Sequence, residues 1–129
     1  MSKKATFRAL REEVGVSHAD LAHLLQVHPS SVKRWEDESY THTAPPFAID
    51  FLNTALAERE RYIEDELTRL EDANKSEPVT LNYTRNPSPL AKIQNANNRA
   101  LYNELKWQGF EDVTFTYDRV SLCAQVLAQ

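Results

Sequence analysis

The stretch Val16-Ser-His-Ala-Asp-Leu-Ala-His-Leu-Leu-Gln-Val-His-Pro-Ser-Ser-Val-Lys-Arg-Trp-Glu36 leaves this chain few ways to fold. Val16, Leu21, Ala22 and Leu25 fall at i, i+5, i+6 and i+9, the stripe of a helix buried on one side. Ser17 stands where an N-cap belongs, and Asp20 follows where a carboxylate favours the positive end of the helix dipole. Gln26-Val27 reads as a turn, after which His28 or Pro29 opens a second helix, since proline suits a first helical position. That helix is expected to bury Val32 and Trp35 and to turn Ser30, Lys33 and Arg34 elsewhere. A short helix carrying hydroxyls and two adjacent cations suits a DNA groove.

Upstream, a helix is predicted over 5–14, stopped by Gly15 as a C-cap residue. Residues 37–46 form a polar loop closed by Pro45 and Pro46. From Pro46 to about Asn74, Phe47, Phe51, Leu52, Ala55, Leu56, Ile63, Leu67 and Leu70 recur at helical intervals, giving a helix of roughly 40 Å. Its first half closes the core over the preceding helices. Its second half, charged through Glu58-Arg-Glu-Arg61 and Glu64-Asp-Glu66, projects and packs against another chain or the C-terminal module. Residues 75–78 read as a linker or turn, and Val79, Leu81 and Tyr83 alternate with polar residues as a strand. Ser88-Pro89 starts a helix toward Trp107, with Asn95, Asn97 and Asn98 weakening its middle enough to suggest two pieces. Val113, Phe115 and Tyr117 give a second strand, and Val120–Leu127 a last short helix. Two strands make a poor sheet alone, which pairing with a second copy would remedy.

Phe7-Arg-Ala-Leu-Arg-Glu-Glu-Val-Gly-Val-Ser-His, Asp20-Leu-Ala and Val32-Lys-Arg-Trp-Glu resemble the helix-turn-helix of the phage repressor and Cro-like (XRE) class, over roughly the first third of the chain. In that class a first-helix arginine pairs with the glutamate ending the recognition helix, and Arg11 and Glu36 occupy those places. Gln26 stands where the class often has glycine in the turn, and no glycine follows the recognition helix. The whole arrangement, with Trp35-Glu-Asp, the prolines before a long helix and Val79-Thr-Leu-Asn-Tyr, is similar to the anti-CRISPR-associated regulators of phages and mobile elements.

The resemblance implies a mainly α protein: an N-terminal helix-turn-helix bundle of five helices, the last one long, over 1–74, and a small α/β dimerisation module over 75–129. It implies a homodimeric, sequence-specific repressor that binds double-stranded DNA at an inverted repeat and controls its own operon. By position, Ser30 and Arg34 meet base edges, Arg34 as a bidentate donor to guanine, while His18, His28 and Lys33 meet phosphates or the groove wall; Pro29 and Ser31 complete the set. The rival readings are an antitoxin-type regulator that also binds a toxin, and a protein-interaction adaptor without DNA binding.

Charge bears on this choice. The net charge of −4 is unevenly spread: residues 1–35 hold six Lys/Arg against three Asp/Glu, and residues 36–72 three against eleven. Phosphate attraction acts over a Debye length of about 8–10 Å, so a basic head on an acidic chain is compatible with DNA. His18, His23 and His28 are spaced by fives, which scatters them around helices and argues against a metal site. The acidic pairs between Glu58 and Asp72 are a solvated helix face, and the single Cys123 lies in an apolar stretch as a core residue. Two glycines, Gly15 and Gly109, cannot build a phosphate loop. No enzyme, cofactor, membrane span or signal peptide is expected, and a cytoplasmic location is.

Overall fold

The Ser2 hydroxyl accepts the Ala5 N–H and starts the first helix, α1, at Lys3 rather than residue 5; it runs Lys3–Val14. The computed structural model describes residues 2–117, so the expected helix over 120–127 and Cys123 lie outside the described residues. Gly15 ends α1 in the left-handed region, with φ of 98° and its N–H on the Arg11 carbonyl. Helix α2 (His18–Leu25) opens on a reciprocal cap, in which Ser17 accepts the Asp20 N–H and Asp20 accepts the Ser17 N–H. Gln26 closes it at φ 57°. Helix α3 (Pro29–Glu36) follows, with His28 as N-cap and Pro29 in the first turn.

Helix α4 (Pro46–Arg69) has 24 residues, about 36 Å of rise, and stops at Leu70 rather than near Asn74. Beyond it lie β1 (Val79–Tyr83), α5 (Pro89–Trp107) and β2 (Val113–Tyr117). The chain is thus mainly helical with one small sheet. The strands pair in parallel, Val79 opposite Val113 through Tyr83 opposite Tyr117, with α5 as the crossover that parallel pairing requires.

Two apolar cores form. Phe7, Val14, Leu21, Val32, Ala48 and Leu52 close the first among α1–α4. Leu81, Leu101, Leu105, Phe110 and Val113 form the second, and Tyr62, Ile63, Leu67 and Leu70 of α4 pack on it. The charged half of α4 therefore covers the tail within the same chain. Among the described residues four helices, not five, precede the sheet; the fifth is α5, which comes from the tail and packs back on α1, α2 and α4.

Helix α5 is one piece. Its asparagines, which weaken a helix by competing for backbone groups, bond outward instead. Asn95 accepts the Thr84 N–H and donates to the Thr84 carbonyl, both at 2.9 Å. Asn97 accepts from Arg59 Nε at 2.7 Å, and Asn98 accepts the Tyr62 hydroxyl and donates to the Asn82 carbonyl. Buried Arg59 also donates to the Glu13 carboxylate and carbonyl, so one guanidinium joins α4, α1 and α5. Lys92 reaches Asp20 at 2.9 Å on the α2 side.

Candidate nucleic-acid interface

The inner face of α3 is fixed by three residues. Val32 is fully buried, and Trp35 sits edge-on to Phe7 and Phe47 with ring centroids 5.7 and 6.4 Å away. The Glu36 carboxylate accepts from Arg11 Nε at 2.6 Å and Nη2 at 3.0 Å, and the same guanidinium donates to the Val16 carbonyl at 2.9 Å. This bidentate pair ties α1, the start of α2 and the end of α3 together, as the resemblance leads one to expect.

Both ends of α3 are held by side chains. At the amino end, His28 Nδ1 accepts the Ser30 N–H at 3.1 Å. At the carboxyl end, buried Lys4 donates through Nζ to the Arg34 and His42 carbonyls at 2.8 and 2.5 Å, a cation placed against the negative end of the helix. The loop beyond is stiffened by Asp37, whose carboxylate accepts the Ser39 N–H and hydroxyl at 2.9 and 2.7 Å; those bonds hold it below its ordinary range.

With the inner face locked, the outer face of α3 carries Lys33 and Arg34, both exposed, beside half-buried Pro29, Ser30 and Ser31. The Arg34 guanidinium lies 5.5 Å from the centroid of the exposed Tyr40 ring. A groove of about 510 Å³ runs between α3 and the loop, lined by Ser31, Arg34, Tyr40, His42 and Thr43 among others. Six of the seven expected contact residues (His28, Pro29, Ser30, Ser31, Lys33 and Arg34) thus share α3 and its cap. His18 does not join them: its Nε2 sits 3.1 Å from Glu36 Oε1, half-buried behind the helix.

Sequence reasoning missed Tyr40 and misplaced part of the charge. Lys4 and Arg11 fall in one helical stripe with Phe7 and Val14, and all four are buried. That periodicity was the available signal. Arg8 is paired with Glu12 at 2.7 Å and Arg11 with Glu36, which leaves Lys3, Lys33 and Arg34 as the exposed cations of residues 1–35 outside the ion pairs formed among the described residues. The positive charge of residues 1–35 is therefore narrower on the surface than in the count, carried by Lys33 and Arg34 on α3 and by Lys3 at the start of α1.

Among the described residues no group of three His, Cys, Asp or Glu side chains is placed to hold a metal ion. No described helix is long and apolar enough to cross a membrane. Neither a family model, nor a curated protein, nor a solved structure matches the chain.

Proposed function

We propose that this protein is a sequence-specific DNA-binding transcriptional repressor, using α2 and α3 as a helix-turn-helix and acting as a homodimer on an inverted-repeat operator in front of its own operon. The observation that carries the reading is the division of α3. Val32, Trp35 and Glu36 lock its inner face, while Lys33 and Arg34 are exposed and Ser30 and Ser31 half-exposed on the rest of the helix, free to enter a major groove. A helix serving only the core has no need of paired cations beside hydroxyls on its free face. The two-stranded sheet supports the dimer, because each strand keeps an open edge among the described residues. Two recognition helices roughly 34 Å apart would then meet successive major grooves, and occupancy excludes polymerase without a cofactor or catalytic step.

A gel-shift titration against DNA upstream of its own gene, with scrambled competitor, tests this. A discrete complex that resists the competitor and is weakened by Arg34→Ala by about 1–3 kcal/mol is the expected result. Equal loss to either competitor would overturn sequence-specific binding and favour a protein partner, toxin or otherwise.

A further inference from the structure

His28 and Ser30 meet at the amino end of α3, and the direction of the hydrogen bond between them can be settled. The Ser30 main-chain N–H lies 3.1 Å from His28 Nδ1. A backbone N–H can only donate, so Nδ1 must present a lone pair, and the proton of the neutral ring sits on Nε2. A protonated Nδ1 would point its proton at that N–H and give up the cap. The Ser30 hydroxyl lies 2.7 Å from the same Nδ1. With no proton on Nδ1, the hydroxyl is the donor in this contact as well. Its one proton is committed to the histidine, and only lone pairs remain for anything in front of α3.

This bears on which base the serine accepts. A free serine hydroxyl reads either kind of base edge, because it rotates to donate or accept. In the major groove, adenine N6 and cytosine N4 are donors, whereas guanine O6 and N7 and thymine O4 are acceptors. We infer that His28 makes Ser30 an acceptor-only reader, selecting adenine or cytosine over guanine or thymine at one position of each half-site. His28 is then a positioning residue whose cap bond sets the specificity of its neighbour. The inference rests on the DNA-binding reading above and adds the chemical class of base to it.

Selection of duplexes from a random pool tests it with four proteins: wild type, Ser30→Ala, His28→Ala and His28→Asp. Wild type is expected to enrich a motif with adenine or cytosine at one position, preferred about fivefold, as one hydrogen bond provides. Ser30→Ala should flatten that position and leave the others. His28→Ala should release the hydroxyl and admit all four bases there. His28→Asp keeps an N-cap acceptor and should retain the preference for adenine or cytosine, even if total affinity falls. As a check independent of the His28 variants folding, the selected base is replaced by its analogue without the exocyclic amine. Wild-type binding should fall about fivefold and Ser30→Ala binding should not change. An enriched motif with guanine or thymine at the Ser30-sensitive position, or with no such position, overturns the inference and leaves DNA binding intact. No enriched motif with wild type overturns the DNA-binding reading, and this inference with it.

Discussion

Lys4 carries its ammonium to the carboxyl end of α3 and bonds the Arg34 carbonyl, which also accepts the Asp37 N–H, together with the His42 carbonyl of the loop. A charge count treats it like Lys33, yet the two do different work. Lys4→Met should lower stability by about 1–3 kcal/mol, because two carbonyls lose a charged donor, and should loosen the loop that carries Tyr40; urea unfolding and amide exchange over residues 37–45 measure both. Lys33→Ala should leave the unfolding midpoint unchanged and, on the proposed function, reduce the slope of log K against log salt by about one. Glu36 is the costlier position. Its side chain is 7% exposed between Arg11 and His18, and Glu36→Ala would leave the Arg11 guanidinium buried without its carboxylate. A loss of about 3–5 kcal/mol in a denaturant titration is expected. The Arg11–Glu36 pairing was legible only through the resemblance, since 25 residues separate the partners and no spacing rule reaches that far.

At the scale of elements, the local rules placed every described helix and strand and erred where tertiary bonds override them. Caps were readable: Ser17, Ser88, Pro29 and Gly15 do what their chemistry suggests. The asparagines of α5 were read as weakness because propensity sees only the helix, whereas their partners come from α4, β1 and Thr84 just beyond β1. Asn95→Ala separates the two effects. Alanine is the better helix former by a few tenths of a kcal/mol, yet the change should destabilise by about 1–3 kcal/mol, as both backbone groups of Thr84 lose their partner. Exposed Asn103→Ala, on the same helix, should stabilise slightly. Thermal melts of the two variants should move in opposite directions. Gln26 is the converse case: the turn after α2 forms without the glycine, with Gln26 itself in the left-handed region at φ 57°. Gln26→Gly should therefore raise stability by about 0.5–1 kcal/mol, contrary to the usual cost of a glycine.

For the whole molecule, the boundary near residue 74 marks where the polypeptide changes composition but not where packing stops. A β-carbon on Gly15 would stand 2.7 Å from Ala96 Cβ, so the end of α1 and the middle of α5 approach too closely for any side chain there. The sequence held a reason for Gly15, the helix end, but not this second one, since contact between residues so far apart leaves no periodic trace. Along the same seam Lys92 of α5 bonds Asp20 of α2, whose carboxylate accepts the Ser17 N–H in the reciprocal cap that starts α2. Burial pushes the Asp20 carboxyl up, but the Lys92 ammonium and the bonds from Ser17 outweigh it, and the group titrates below its ordinary value. A carboxyl lowered by folding contributes its full stability above the unfolded value of about 3.9 and loses it as pH falls through the folded value. Asp20→Asn should thus be less stable than wild type at pH 6, with the gap narrowing below about pH 4 as wild-type Asp20 protonates. Unfolding free energies across pH 6 to 2.5 would show this, and curves that stay parallel into acid would mean the bridge adds nothing that titrates. Lys92→Met should reduce the same gap from the other side, because it removes the charge that favours the ionised carboxyl. Agreement between the two variants would establish that the Asp20–Lys92 ion pair contributes titratable stability to the seam between α2 and α5.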